Sequence, residues 1–375
     1  MKVDFFKHNI DETDIDRVNA VLRSVFLTNA NVTSDFEKRF SHYMKSKECV
    51  AVNSCTAALH LSLLAWGIKE GDEVITTSMS FIATANAILH SGAKPVFVDV
   101  EPETYLIDCS KIEDAITPNT KAILPVHLYG QMCDMKEINK IAKRHNLIVI
   151  EDAAHCIEGE RDGIKVGELS HAACFSFYAT KNITSGEGGA IICQDESKAE
   201  YLRKLRLHGM SKDASSRYYG KFSYWDMEIL GWKYNISDIQ SALLIGQLER
   251  IEDLLSKRKK IVDIYEEKLK KNLEIKRVKY LNTVKQSYHL YVIHVKNRDE
   301  VIHKLNQKGI SVAVNYNPIH LTSFYRTQFN YERGTFLVTE NWGEGCISLP
   351  LYPTLEHEKV NYVADCLIDI VKEKK

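Results

Sequence analysis

The sequence predicts an α/β fold with a largely parallel sheet, followed by a smaller C-terminal α/β domain. Three observations carry this expectation. Seven short apolar runs occur between Cys49 and Cys193. Helical stretches lie between several of them, and alternating strand and helix argues for a parallel sheet covered on both faces. After a long helical pattern near Asp238–Leu269 the texture of the chain changes.

Taken in order, the chain opens with two amphipathic stretches, Glu12–Val25 and Ser34–Met44, with Asn31 and Ser34 as candidate helix caps. The candidate buried strands are Cys49–Val52, Glu73–Thr76, Pro95–Val98, Ala122–Val126, Leu147–Ile150, Ala173–Phe177 and Ala190–Cys193. The helical stretches among them are Ala57–Trp66, Phe81–His90 and Met135–His145. Ser237 and Gln240 form a candidate capping box at the start of the long helix. Beyond it come candidate strands Glu274–Val278, Tyr288–Val295 and Ser311–Asn315, a helix near Asp299–Lys308 and a final helix near Glu356–Lys372. A chain of 375 residues is long for one core. The expected division is 1–250 for a large domain carrying the N-terminal helices and 251–375 for a small one.

Composition narrows the function classes. Hydrophobic residues at 45% and charged residues at 26% describe an ordinary globular chain with a sizeable core. A net charge of −1 offers no global field for nucleic acid or an anionic membrane. The nine cysteines are scattered without a C-x-x-C pair, which suggests neither a metal site nor a disulfide framework, and buried free thiols are expected. The first seven residues lack the apolar core of a signal peptide, and no run approaches the roughly 18 apolar residues of a membrane span. The expected location is the cytoplasm.

In open α/β sheets ligands bind beyond the carboxyl ends of the strands. The first strand ends in Asn53-Ser54-Cys55-Thr56, with a helix starting at Ala57. Such a turn offers free N–H groups and a helix dipole to an anion, and it is equally an ordinary N-cap. The strand Leu147–Ile150 leads into Glu151-Asp152, where an acid can face a ligand, cap a helix or meet water. The strand Ala173–Phe177 leads into Tyr178-Ala179-Thr180-Lys181 and the glycines Gly186, Gly188 and Gly189. A lysine just past a buried strand is open to desolvation, which lowers its pKa and frees the amine for carbonyl chemistry. The alternative for any single lysine is a solvated surface charge.

Six blocks, in order and spanning almost the whole chain, carry a resemblance. They are "NSCTAALHLSLLAWGI", "ITTSMSFIATANAILHSGAKPVFVDVEPETYLID", "EDAAHCIEG", "SFYATKNITSGEGGAI", "GWKYNISDIQSALLIGQL" and "ISLPLYP". Together they resemble the DegT/DnrJ/EryC1/StrS family of sugar aminotransferases. The resemblance implies the fold-type I architecture of aspartate aminotransferases, with a seven-stranded sheet, pyridoxal 5'-phosphate (PLP) as cofactor and a homodimer with shared active sites. It implies a two-stage cycle in which L-glutamate gives an amino group and a nucleotide-linked keto sugar receives it. By position, Lys181 matches the lysine that carries the cofactor and Asp152 the acid that pairs with its pyridine nitrogen. Phe81 matches the aromatic that stacks on its ring, and His155 stands near its phenolic oxygen, where many members have Gln. Ser54, Cys55, Thr56 and Ser176 match the phosphate site, and Asn235 a residue reaching that site from the other subunit. Arg217, Tyr316 and His320 are candidates for sugar-nucleotide contacts. Two departures stand out: Cys55 where glycine is commoner, and Asn315 where histidine is common.

The stretch 208–235 resembles members that aminate 4-keto-6-deoxy sugars on UDP or dTDP, which favours C4 amination over C3. Rival readings are a PLP-dependent sugar dehydratase, a non-catalytic PLP-binding paralogue and a plain nucleotide-binding α/β protein. Against the first stands Lys181, where pyridoxamine-type dehydratases carry His. Against the last stands the absence of a G-x-G-x-x-G or G-x-x-x-x-G-K-[ST] motif.

Overall fold

The computed structural model describes residues 1–211 and 224–373. Helices α1 (Glu12–Leu22) and α2 (Asn31–Met44) precede the first strand. Strands β1 (Glu48–Val52), β2 (Glu73–Thr77), β3 (Lys94–Val98), β4 (Thr120–Leu124) and β5 (Ile148–Asp152) follow, with α3 (Cys55–Ala65), α4 (Ala83–His90) and α5 (Met135–His145) between them. Short strands β6 (Glu160–Arg161) and β7 (Ile164–Lys165) lead to β8 (Ala172–Ser176), β9 (Gly189–Cys193) and α6 (Glu196–Leu205). The seven long strands form one sheet in the order β1-β9-β8-β5-β4-β2-β3. Its pairings are parallel except those of β9, which runs antiparallel to both neighbours.

The sheet lies between two apolar cores, and the strand period of two assigns residues to each. Val50, Ala122, Leu124, Ile150 and Cys174 point to one core, with Leu61 of α3, Ile88 of α4 and Leu202 of α6. Ala51, Ile123, Val149 and Phe175 point to the other, with Phe36 and Phe40 of α2 and Ile138 and Ile141 of α5. Both faces being covered, the strands read as continuous apolar runs rather than alternating ones.

The remaining elements are α7 (Asp238–Glu249), α8 (Ile251–Leu269), β10 (Lys276–Arg277), β11 (Val284–Lys285), β12 (Tyr291–His294), α9 (Arg298–Gln307), α10 (Ser323–Phe329), α11 (Leu337–Gly345), β13 (Cys346–Leu349) and α12 (His357–Lys372). A third core gathers Ile261 and Tyr265 of α8, Tyr291 and Ile293 of β12, Ile347 and Leu349 of β13, Val363 and Leu367 of α12, and Val3 from the chain's start.

The structure corrects several boundaries. The long helical pattern is two helices, because Arg250 leaves helical geometry at φ −109° and ψ 16°. The Ser237–Gln240 capping box at the start of α7 is present. Neither Asn31 nor Ser34 caps α2. The N–H groups at its start are taken by Asp238, whose carboxylate accepts from Ala30, Val32 and Thr33. The fourth strand stops at Leu124 because Pro125 has no N–H for the ladder. Ser311–Asn315 forms no strand: its backbone is divided between Val3 on one side and Ser348 on the other. The strands that flank β12 are β10 and β13, the latter overlapping the "ISLPLYP" block. All nine cysteines are free thiols. Among the described residues no helix is long and apolar enough to cross a membrane.

Candidate active site

The carboxyl ends of β1, β5 and β8 open into a cavity of about 540 Å³, within the range of small-molecule sites. Ser54, Cys55, Thr56, Phe81, Asp152, His155, Ser176, Lys181 and Tyr316 all line it. Nine of the twelve side chains proposed from sequence thus meet at one place, drawn from segments more than 250 residues apart.

One wall is the start of α3. The first N–H groups of a helix lack intrahelical partners. The Ser54 hydroxyl accepts from Ala57 N–H at 3.1 Å, leaving the N–H groups of Cys55 and Thr56 at the cavity wall. Gly189 makes this turn possible, since a Cβ there would come within 2.5 Å of the Ser54 backbone. Ser176, the last residue of β8, adds a hydroxyl. The result is a seat for an anion.

Asp152 ends β5 and is 4% exposed. One carboxylate oxygen accepts from the Thr84 hydroxyl at 2.7 Å and the other from Ala154 N–H at 3.1 Å. Burial outweighs these bonds and raises its carboxyl above the ordinary range. Lys181, four residues past Phe177, turns into the cavity, where burial lowers its ammonium to about 8 against pulls upward from Cys55 and Asp152.

His155 is neutral, burial and the nearby Lys181 holding it well below its ordinary value. Its Nδ1 accepts from Tyr129 N–H at 3.2 Å, so the proton is on Nε2, 3.1 Å from the Tyr316 hydroxyl. Tyr316 packs beside Phe81 with ring centroids 5.8 Å apart. Phe81 lies just before α4 and is half-exposed at the mouth.

Three proposed residues are not at this wall. His320 is fully buried, with Nδ1 2.6 Å from the Ser78 hydroxyl and Nε2 3.0 Å from the Glu340 carboxylate. Both ring nitrogens are thus spent on the protein's own groups. Asn235 bridges the backbone of Val52 but turns its side chain to Thr28 and Ile236, and its amide oxygen is buried without a partner. Arg217 lies outside the described residues. The structure also adds residues that sequence reasoning passed over. Thr84 holds Asp152 from the first turn of α4. His289, just ahead of β12, has Nε2 3.5 Å from Lys181 Nζ. The signal for each was a polar residue inside an apolar block.

The family model of the DegT/DnrJ/EryC1/StrS aminotransferase family matches residues 8–368. The chain belongs to that family. A spore coat polysaccharide biosynthesis protein, SpsC of Bacillus subtilis, is 40% identical over 97% of this chain and 95% of its own. GDP-perosamine synthase of Caulobacter vibrioides is 38% identical over 90% of this chain and 89% of its own. Among solved structures, Spr1654 of Streptococcus pneumoniae in its PLP form superposes with a TM-score of 0.93 at 30% identity, covering 100% of this chain and 99% of that one. The chain is accordingly a PLP-dependent sugar aminotransferase with the fold-type I architecture. The donor set fits the cofactor: an anion seat at a helix start, a buried carboxylate, a depressed lysine and an aromatic face share one cavity.

Proposed function

We propose that this family member transfers the amino group of L-glutamate to the C4 carbonyl of a nucleotide-linked 4-keto-6-deoxy sugar, carried on UDP or dTDP. The observation that carries the reading is the meeting of Lys181, Asp152 and the Ser54–Thr56 turn in one cavity, with Lys181 depressed to about 8. A relative named for a GDP-linked product, and another named for polysaccharide biosynthesis, support a sugar on a nucleotide. The C4 preference rests on the likeness of stretch 208–235 to C4-aminating members.

PLP, when bound, supplies a carbonyl that takes up nitrogen and a ring that withdraws electrons from the neighbouring carbon. The protein does the rest. Cys55 and Thr56 N–H, with the Ser54, Thr56 and Ser176 hydroxyls, hold the phosphate. Asp152 keeps the pyridine nitrogen protonated, since a buried carboxylate with neutral donors favours an incoming cation. Phe81 covers the ring and keeps water from it. His155 offers its Nε2–H to the phenolic oxygen. Lys181 anchors the cofactor, then carries a proton from the donor's Cα and later returns one to the sugar carbon, an aid of roughly 10²–10⁴ in rate. Tyr316, in the cavity wall, and Arg217 are proposed as contacts for the sugar nucleotide. Asn235 is proposed to act on the phosphate of a partner subunit in a homodimer by turning its amide NH₂, here on Thr28 and the Ile236 carbonyl, toward it. The cell compartment proposed for this chemistry is the cytoplasm.

An absorbance spectrum of the PLP-loaded protein tests the reading. A visible band that fades on L-glutamate and returns with a UDP- or dTDP-linked 4-keto sugar is the expected result. Lys181→Ala should lose the band and turnover. A band indifferent to glutamate, or turnover retained in Lys181→Ala, overturns it. Mixed dimers of Lys181→Ala and Asn235→Ala chains should recover activity; no recovery removes the shared site.

A further inference from the structure

Two imidazoles lie side by side in the cavity wall, those of His155 and His289, with centroids 4.4 Å apart. The hydrogen-bond network assigns them opposite tautomers. His155 receives a backbone N–H at Nδ1 and so carries its proton on Nε2. For His289 the deciding group is Asn182. Asn182 Nδ2 lies 2.9 and 3.0 Å from the two Glu158 carboxylate oxygens and 2.7 Å from the Ser287 carbonyl. Three acceptors around one atom make it the NH₂ group, so Asn182 Oδ1 is an acceptor. His289 Nδ1, 3.2 Å from that oxygen, must donate to it. The proton of His289 is therefore on Nδ1, and Nε2 aims a lone pair at Lys181 Nζ, 3.5 Å away. His289 and Asn182 are each 4% exposed and Glu158 is 1% exposed, so water does not scramble this arrangement.

We propose that His289 is a further catalytic residue: its Nε2 lone pair accepts a hydrogen bond from the Lys181 amine and so aims that nitrogen at the reacting carbons. Asn182, held by Glu158, is a positioning residue that fixes the tautomer of His289. The proposal rests on Lys181 being the proton carrier. No proton passes to His289. Burial, together with Lys181, His155 and Arg258, holds it well below its ordinary value, so it stays neutral. The charged and titratable groups facing the pair are Asp152 and Cys55 toward Lys181, and His155 and Arg258 toward His289, with Glu158 behind Asn182. Of these, Asp152 and Cys55 favour the ammonium, and the His289 lone pair favours it too. The division of labour is a donor and an acceptor on adjacent rings: His155 for an oxygen, His289 for a nitrogen.

The test reads Lys181 in the cofactor-free protein. Reductive methylation across pH, followed by peptide mass mapping, gives the midpoint at which Lys181 becomes neutral, expected near pH 8 in the wild type. His289→Phe removes the acceptor and should move that midpoint down by about one pH unit. His289→Gln keeps a carbonyl acceptor and should restore it. Asn182→Ala should shift it in the same direction by less. In the loaded enzyme His289→Phe should lower kcat by about 10²-fold with the sugar KM little changed, and His289→Gln should recover part of that. An unmoved midpoint in His289→Phe overturns the proposal, and so does one that rises, since that would mean a cation had faced the lysine. Should His289→Phe fail to fold, Asn182→Ala decides by the same readout. Borohydride reduction of PLP onto the wild type checks the assignment beneath: a residue other than Lys181 overturns both readings, whereas Lys181 labelled with an unmoved midpoint overturns this one alone.

Discussion

Asp152 and Glu37 are both buried carboxylates beside the same sheet, 4% and 8% exposed, yet they are solved differently. Glu37, on α2, accepts from Ala51 N–H at 2.8 Å and pairs with the Arg206 guanidinium, which also donates to the Ala51 carbonyl at 2.6 Å. Charge meets charge, and α2, β1 and the end of α6 are joined through one point. Asp152 receives a hydroxyl and a backbone N–H, both neutral, and burial keeps its carboxyl raised. A charge left with neutral donors only is poised for a cation that arrives with a ligand. The difference teaches where in this protein burial serves the fold and where it serves chemistry.

Replacing each carboxylate should therefore break different things. Asp152→Asn should cut transamination by roughly 10²-fold or more, while the Thr84 hydroxyl, 2.7 Å from Ser80 Oγ, is free to turn and accept from the new amide. The sign for stability is opposite. A carboxyl whose folded pKa is raised opposes folding above that value, and the opposition fades as pH falls through it. Unloaded Asp152→Asn is thus expected to melt no lower than wild type at neutral pH, with any gain shrinking in acid. A clear loss of melting temperature together with full turnover would reverse the assignment. Glu37→Ala leaves the Arg206 guanidinium buried without its partner, and should cost about 3–5 kcal/mol in urea denaturation. Its turnover per folded molecule should stay near wild type. A comparable fall in kcat would mean that the two carboxylates are not separable.

The cofactor-side half of this contrast was legible in the sequence. Asp152, Lys181 and the Ser54 turn each follow an apolar run, and strand ends in a parallel sheet converge by topology. Glu37 was not legible, because an acid on an amphipathic helix looks solvated until β1 and Arg206 close over it. His320 was misplaced for a related reason: "NPIH" in the sequence does not show that Ser78 and Glu340 consume both ring nitrogens. His289 was missed because its orientation depends on Asn182, about a hundred residues earlier. The split at Arg250 and the loss of Ser311–Asn315 as a strand are likewise tertiary outcomes, set by neighbours rather than by local pattern.

A third carboxylate sharpens the comparison, with the smallest effect. Asp238 is 2% exposed and meets neither a guanidinium nor an incoming ligand but a helix start. Its oxygens accept from Ala30 N–H at 2.9 Å, Val32 N–H at 3.2 Å, Thr33 N–H at 3.0 Å and the Thr33 hydroxyl at 2.7 Å. Asp238 is also the first residue of α7, so one negative charge serves the positive ends of two helices. This is why Asn31 and Ser34 are dispensable as caps: the cap comes from 200 residues downstream. Asp238→Ala should cost about 1–3 kcal/mol, the penalty for stranding buried donors. Asp238→Asn keeps one acceptor oxygen and loses the charge, and should cost about 1 kcal/mol or less. Urea denaturation of the two variants separates hydrogen bonding from helix electrostatics. Equal losses in both would assign the stabilisation to charge, and would place Asp238 with Glu37 rather than between Glu37 and Asp152.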